Sequence, residues 1–222
     1  MKNLIKKCTT LTALFCLTAG AQAVIVDGAV TAGSVPGGSF VELDVPFAAS
    51  NPNNTVGDDN FNTPNLYAFN EDQNIVLGAD LAVSDLGDGT STTRGTGGTI
   101  AADTTVASHY VFFDPDGDAT QQGWVSFDAE ILGIIFEKTL LAASDSLANP
   151  GVNYLNPQLR GIESGDFAWF TDSTVYVNWK ASEPGDYIRV LTAESMSIPE
   201  PAAIFLLGLG LAGFGYSRRK AS

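Results

Sequence analysis

Three aspartates in one short turn are the first residues whose spacing suggests chemistry. Asp114, Asp116 and Asp118 occupy alternate positions of the segment DPDGD. Carboxylates at this spacing can wrap a calcium ion, which takes about six to eight oxygen ligands. The segment departs from the EF-hand pattern, because its sixth position is Ala119 and its twelfth is Val125. The sequence therefore predicts a candidate Ca²⁺ site, with an aspartate-rich β-turn that binds no metal as the alternative.

Aromatic residues beside polar ones form a second candidate site, for carbohydrate. Trp124 falls on the polar side of an alternating segment that also carries Asp128, and Tyr176 and Asn178 recur together in another such segment. An aromatic face can stack on a sugar ring while amides and carboxylates bond its hydroxyl groups. These four residues are the predicted carbohydrate-binding set. The alternative is that the rings cover sheet edges or pack beneath loops.

Hydrolytic chemistry has weaker support in the sequence. Asp128 and Glu130 are predicted on one strand face, roughly 6 to 7 Å apart, and a glycosidase needs two carboxylates about 5 to 9.5 Å apart. No surrounding motif singles out this pair. The single histidine, His109, would have to serve any Ser-His-Asp triad, and the chain has neither a G-x-S-x-G elbow nor a glycine-rich phosphate loop. We expect no catalytic residues and no enzyme, with a secreted glycoside hydrolase as the less favoured alternative.

The charge balance narrows the classes of partner. The chain has 222 residues, with 25 acidic against 11 basic side chains and a formal net charge of −14. Nucleic-acid binding needs clustered lysines and arginines, so this class is not expected. The length fits one domain, and the apolar content of 45% is enough for a core.

The first 23 residues have the pattern of a secretory signal peptide. Three lysines precede an apolar stretch over 11–19, and Ala21 and Ala23 form an A-x-A cleavage site. We expect export through the Sec translocon and a new N-terminus at Val24. Both cysteines lie inside this segment, so the exported body would use neither a disulfide nor a thiolate ligand.

The chain ends in a Pro-Glu-Pro motif, an apolar run and a basic cluster. These three parts are Pro199, Glu200 and Pro201; residues 202–216; and Arg218, Arg219 and Lys220. At about 1.5 Å per residue the run is roughly 22 Å long as a helix, shorter than a bilayer core of about 30 Å. A short apolar helix with a basic end predicts a temporary anchor, with the basic cluster in the cytoplasm and the body outside.

This tail resembles the PEP-CTERM sorting signal of Gram-negative bacteria in all three of its parts. The resemblance implies recognition by an exosortase, a membrane cysteine protease that cuts near Pro-Glu-Pro, after transient anchoring in the inner membrane. It also implies a destination at the cell surface or in an extracellular matrix, in bacteria that make exopolysaccharide. The body resembles an uncharacterised PEP-CTERM family, for which no functional residues are implied, in the segments 109–115, 126–145, 154–166 and 184–192.

The body itself is predicted to be all-β. In 124–131 the odd-numbered residues are apolar and the even-numbered ones mostly polar, and 166–171 with 174–180 reads as a hairpin. Further strands are predicted at 39–45, 66–69, 75–83, 109–113 and 187–191. Residues 138–147 are predicted helical, and 51–65 and 87–98 are predicted surface loops. These elements predict a single antiparallel, jelly-roll-like β-sandwich over 24–198, between the signal peptide of 1–23 and a sorting signal with an apolar helix over 199–222.

Removal of both ends would leave a strongly acidic body. Three basic residues lie in the signal peptide and three in the tail, which leaves five against all 25 acidic residues, a formal charge of −20. Such a body disfavours anionic membranes, so membrane contact is expected through the C-terminal helix alone. We predict an exported surface or matrix protein with a structural or interaction role linked to exopolysaccharide or biofilm. The alternative is a carbohydrate-binding module, assisted or not by Ca²⁺.

Overall fold

Alternating segments of the chain form strands, as the sequence predicts. The computed structural model describes residues 22–87, 95 and 97–195, and the signal peptide up to Ala21 and the tail from residue 196 lie outside this part. The strands are β1 (Ile25–Gly33), β2 (Phe40–Glu42), β3 (Thr55–Val56), β4 (Leu66–Asn70), β5 (Ile75–Val76), β6 (Leu81–Val83), β7 (Gly98–Ile100), β8 (Thr105–Phe113), β9 (Ala119–Phe127), β10 (Ile131–Ile135), β11 (Asn153–Tyr154), β12 (Phe167–Thr171), β13 (Thr174–Ala181) and β14 (Asp186–Ala193). A short helix α1 (Lys138–Ala143) and a 3₁₀ turn (Asp145–Leu147) complete the described elements.

Two sheets pack face to face and form the predicted all-β sandwich. The four-stranded sheet has the order β1-β9-β13-β12, and the six-stranded sheet has the order β10-β14-β8-β4-β2, with β5 pairing β8. Nearly all pairs are antiparallel, and the β2–β4 pair is parallel. Two small two-stranded sheets, β3 with β11 and β6 with β7, lie outside this pair.

The core between the sheets comes from the alternating strands. On β9 and β13 the odd-numbered residues are buried and the even-numbered ones are half-buried or exposed, with Ala181 closing the pattern on the inside and Gln121 as its one polar member. These inward residues meet the inner face of the six-stranded sheet in one apolar cluster, which includes Leu66, Val111, Val125, Val175, Val177, Trp179, Ile188 and Val190. The observed burial therefore follows the period of two that the sequence displays.

The six-stranded sheet is buried on both faces. Its outer face carries a second apolar cluster of large rings and is covered by α1, the 3₁₀ turn and the segment 43–61. The prediction that residues 51–65 form a surface loop is therefore wrong about their exposure, because Val56 and Phe61 are buried against this face. Burial on both faces also explains why nearly every residue of β8 and β14 is buried, without the alternation of a half-exposed strand.

Several predicted elements need correction. The strand over 124–131 is two strands, because β9 ends at Phe127 and β10 begins at Ile131 on the other sheet. The predicted strand over 75–83 divides into β5 and β6, and 39–45 shortens to β2. The sequence prediction missed β1, which pairs with β9 as an edge strand and has a mixed burial pattern. The hairpin over 166–180 and a helix beginning at Lys138 are confirmed.

The described part of the chain contains no helix long and apolar enough to cross a membrane. The predicted apolar helix over 202–216, the loop positions 88–94 and 96, and the residues Pro199, Glu200, Pro201, Arg218, Arg219 and Lys220 lie outside the described residues.

Candidate functional site

The outer face of the four-stranded sheet carries three aromatic side chains in one line. The register pairs Trp124 of β9 with Tyr176 of β13, and Tyr176 with Trp169 of β12. Because adjacent strands lie about 4.8 Å apart, this line spans roughly 10 Å across the sheet. All three side chains are half-buried, since the intervening positions of these strands point into the core. We call Trp124, Tyr176 and Trp169 the aromatic row.

Polar side chains flank the aromatic row. Asn178 pairs with Gln122 on one side of it, and Thr174 follows on the other. The Trp169 and Tyr176 rings are nearly parallel, with an interplanar angle of 14° and centroids 5.4 Å apart. Such stacking holds the two rings together before any ligand arrives. Rings framed by amides and hydroxyls can offer apolar contact and hydrogen bonds to the same molecule.

Three of the four predicted carbohydrate-binding residues share this face, and the fourth lies elsewhere. Trp124, Tyr176 and Asn178 lie in adjacent registers. Asp128 follows the end of β9, where its carboxylate accepts hydrogen bonds from the Val24 amide (2.8 Å) and the Ser195 hydroxyl (3.0 Å). Asp128 therefore joins the two ends of the body and does not share a strand with Glu130, so their predicted placement on one strand face is wrong.

Trp169 is the residue of the aromatic row that the sequence prediction missed. Its segment was predicted as a strand of the hairpin, and Ala168 and Phe170 on either side are buried. The alternation of buried and half-buried residues along β12 therefore predicts that the Trp169 side chain lies on the outer face of the sheet. The short turn between Thr171 and Thr174 sets the register of the hairpin, and this register places Trp169 directly opposite Tyr176.

The three aspartates of the predicted Ca²⁺ site take separate environments. Asp114 is buried, and its Oδ2 accepts hydrogen bonds from the Asn60 and Phe61 amides at 2.8 and 3.0 Å. Burial raises its pKa to about 6, against the opposing effect of these two hydrogen bonds. Asp116 and Asp118 are exposed. Among the described residues the three carboxylates do not form a group with ligand atoms within 4.8 Å of one another.

A different acidic group does converge at the same end of the sandwich. Ligand oxygens of Glu163, Asp166 and Asp186 all lie within 4.8 Å of one another. Glu163 is exposed, whereas Asp166 and Asp186 are buried. Burial raises the pKa of Asp186 to about 9, and the neighbouring carboxylates of Asp166 and Glu163 add to this rise. We call these three residues the acidic cluster.

The single histidine has no exposed surface on which to act as a base. His109 is fully buried in β8, and burial lowers its pKa to about 3. Its Nδ1 lies 2.7 Å from Asn70 Oδ1 and its Nε2 lies 3.1 Å from Thr192 Oγ1. Because the Asn70 oxygen can only accept, Nδ1 carries the proton and Nε2 accepts from the Thr192 hydroxyl. This neutral, doubly bonded imidazole is a structural part of the core.

A buried ion-pair network is the second feature that the sequence prediction missed. Arg189 of β14 forms two hydrogen bonds to Glu71, with Nε–Oε2 at 2.6 Å and Nη2–Oε1 at 2.8 Å, and both side chains are fully buried. Arg160 forms an ion pair with Asp145. Asp145 Oδ1 also lies 3.3 Å from Arg189 Nη2. Tyr154 donates a further hydrogen bond to Glu71 at 2.7 Å. These contacts hold the 3₁₀ turn against the six-stranded sheet.

Residues 197–220 match the PEP-CTERM protein-sorting motif. The matched range contains the Pro-Glu-Pro motif, the apolar run and the basic cluster that were recognised in the sequence. The motif marks the chain as an exported protein that an exosortase processes after transient anchoring in a membrane. No curated protein and no solved structure matches the chain.

Proposed function

Because the chain carries a PEP-CTERM sorting motif, we propose that its body has a structural or interaction role in an exopolysaccharide or biofilm matrix at the surface of a Gram-negative cell. In this proposal the body contacts polysaccharide through the aromatic row and does not chemically change it. Its partners during export are the Sec translocon and the exosortase, and its partner afterwards is the polysaccharide.

The aromatic row is the observation that carries this proposal. Sugar rings present apolar C–H faces with hydroxyls around the edge, and the row offers rings with Asn178 and Gln122 beside them. The line of Trp124, Tyr176 and Trp169 crosses three strands, so its shape suits an extended chain more than a single small molecule. The charge of −20 on the processed body would repel an anionic polymer, so we expect a neutral or cationic polysaccharide.

Binding to a panel of purified polysaccharides tests the proposal. We expect Trp124→Ala, Tyr176→Ala and Trp169→Ala each to weaken binding, because each removes one stacking surface. A stacking contact is worth about 0.5 to 1.5 kcal/mol, which corresponds to about a 2- to 12-fold loss of affinity. Val76→Ala is the matched control, since Val76 is an exposed apolar residue of β5, on the other sheet.

Two results would contradict the proposal in different ways. If all four variants bind as the unmodified protein does, the aromatic row is a cross-strand packing feature and the ligand contacts another surface. If incubation releases new reducing ends from the polysaccharide, the protein is a hydrolase and the assumption of binding without turnover fails. Asp128→Asn then tests whether the Asp128 carboxylate takes part in hydrolysis. Because Asp128 also accepts hydrogen bonds from Val24 and Ser195, the stability of this variant must be measured beside its activity.

A further inference from the structure

The acidic cluster combines a convergent set of carboxylates with a fully buried one. Asp186 is fully buried at the start of β14, and among the described residues no N–H or hydroxyl group donates a hydrogen bond to either of its carboxylate oxygens. Its one hydrogen-bonding neighbour is another carboxyl group, that of Glu163, which can share a proton with it but cannot stabilise its ionised form. A buried ionised carboxylate without partners is costly, so such a group is normally paired, protonated or bound to a metal. Its nearest ligand-bearing neighbours, Glu163 and Asp166, carry the same sign of charge.

The geometry points to a divalent-cation site, of the Ca²⁺ class, formed by Glu163, Asp166 and Asp186. One cation at the centre of this cluster would displace the proton from Asp186, bind both oxygens of that side chain and balance the charge of the three carboxylates. All three side chains offer hard oxygen ligands, which Ca²⁺ and Mg²⁺ prefer, and the cluster contains no histidine or cysteine. This site is separate from the aromatic row and does not depend on the proposed function.

Asp166 is positioned for this task by the backbone around it. Its Oδ1 accepts a hydrogen bond from the Lys180 amide at 2.7 Å, and its Oδ2 accepts one from the Glu163 amide at 3.1 Å. A carboxylate oxygen has two lone pairs, so each oxygen of Asp166 can still contact a cation. The loop that carries Glu163 and Asp166 is therefore tied to itself and to β13, which leaves the cluster preformed.

Two members of the cluster, Glu163 and Asp166, line a solvent-open cavity of about 400 Å³. Asp118 lines the same cavity, so a fourth carboxylate lies beside the cluster. Lys180 also lines the cavity, and Lys138 Nζ lies 3.3 Å from Glu163 Oε1. The four acidic side chains outnumber the two lysines, so the site attracts cations. The ion pair between Lys138 and Glu163 is exposed to solvent, so a bound cation can displace Lys138 from Glu163. Water and the cavity rim can supply the remaining ligands of an ion that takes about six to eight.

Thermal unfolding of the EDTA-treated exported protein, with and without Ca²⁺, tests the site. Extracellular Ca²⁺ modules bind with Kd on the order of 10⁻⁴ to 10⁻³ M, so about 10 mM CaCl₂ should raise the unfolding midpoint by about 3 to 10 °C. NaCl at matched ionic strength controls for screening of the acidic surface. An equal rise in NaCl, or no rise in Ca²⁺, would overturn the proposal.

Variants assign the effect to residues. We expect Asp186→Asn to abolish the Ca²⁺-dependent rise and Asp116→Asn to retain it, since Asp116 is exposed and outside the cluster. Glu163→Gln provides a second test if Asp186→Asn does not fold, because Glu163 is exposed on the surface. A rise that survives in Asp186→Asn, or in Glu163→Gln at full size, would overturn the assignment. Loss of the rise in Asp116→Asn alone would place the ion at the 114–118 turn.

Discussion

His109 shows how burial decides the role of a single residue. By type it was the one histidine available for catalysis or metal binding, yet it lies at 0% exposure with its ring centroid 4.6 Å from that of Phe127. Burial penalises the imidazolium, so the pKa falls to about 3. In the unfolded chain the same group would take up a proton near its ordinary pKa of 6.5.

This difference predicts a loss of stability in acid. The native pKa is depressed, so the contribution of His109 is complete above about pH 6.5 and is lost as the pH falls toward 3. We expect the unfolding free energy of the unmodified protein, relative to His109→Asn, to fall by about 1.4 kcal/mol per pH unit between about pH 6 and 4. Denaturant unfolding of both proteins across this range measures it.

The comparison with His109→Asn is needed because another buried group titrates in the same range. The pKa of Asp114 is raised to about 6, so its contribution is present at low pH and is lost as the pH rises through 6, the opposite direction. Both proteins share Asp114, so the difference between them isolates His109. If the unfolding free energies of the two proteins change by the same amount from pH 6 to 4, His109 is not held neutral in the folded state.

At the scale of elements, a network of buried charges fastens the helical segment to the sheet. Arg189 of β14 donates to the Leu141 carbonyl of α1 at 3.1 Å and to the Ser144 hydroxyl. It also pairs with Glu71, which follows β4. One guanidinium therefore joins two strands of the six-stranded sheet to the helix that covers their outer face. Removing one partner would leave the other charge buried without compensation.

We expect Arg189→Met to lower the unfolding free energy by about 3 to 5 kcal/mol, because Glu71 would remain charged and buried. Lys138→Met is the matched control. It removes an ion pair with Glu163 whose side chains are 37% and 48% exposed, and exposed pairs contribute about 0 to 1 kcal/mol. Denaturant unfolding measures both. Equal losses in the two variants would mean that the buried pair does not hold α1 to the sheet.

At the scale of the whole molecule, the two ends of the body meet at one carboxylate. Asp128 accepts hydrogen bonds from the Val24 amide and the Ser195 hydroxyl, at 2.8 and 3.0 Å. Residue 24 precedes the first strand and residue 195 follows the last one by two residues. The sandwich is therefore closed between the two predicted processing points. Cleavage before Val24 would convert its amide into an ammonium group, which bonds more strongly to a carboxylate.

Processing at both ends is testable by intact mass and terminal sequencing of the protein from its native host. We expect an N-terminus at Val24 and a C-terminus close to Pro199–Pro201, since both cuts leave every described strand whole. Ala23 is fully buried in the folded body, so we expect the signal peptide to be removed before folding. A recovered protein that still ends in Arg218, Arg219 and Lys220 would show that the tail is a retained anchor.

Local patterns in the sequence determined the C-terminal sorting signal and the class of fold. A Pro-Glu-Pro motif with an apolar run and a basic end is contiguous, and the 197–220 match confirms it without any tertiary information. The alternation in β9, β12 and β13 likewise needs only neighbouring residues to assign an inner and an outer side, because side chains alternate along every strand. That local rule placed Trp124, Tyr176 and Asn178 on outward faces.

The tertiary structure alone decided which residues share a site. The predicted strand over 124–131 is interrupted after Phe127, because the chain passes there from one sheet to the other. Asp128 and Glu130 therefore do not lie on one strand. Asp186 joins Glu163 and Asp166 because the start of β14 meets a loop about twenty residues earlier in the chain. The register between β9 and β13 aligns Trp124 with Tyr176 across some fifty residues. Pairing of distant segments depends on the packing of the whole core, and a local period carries no record of it.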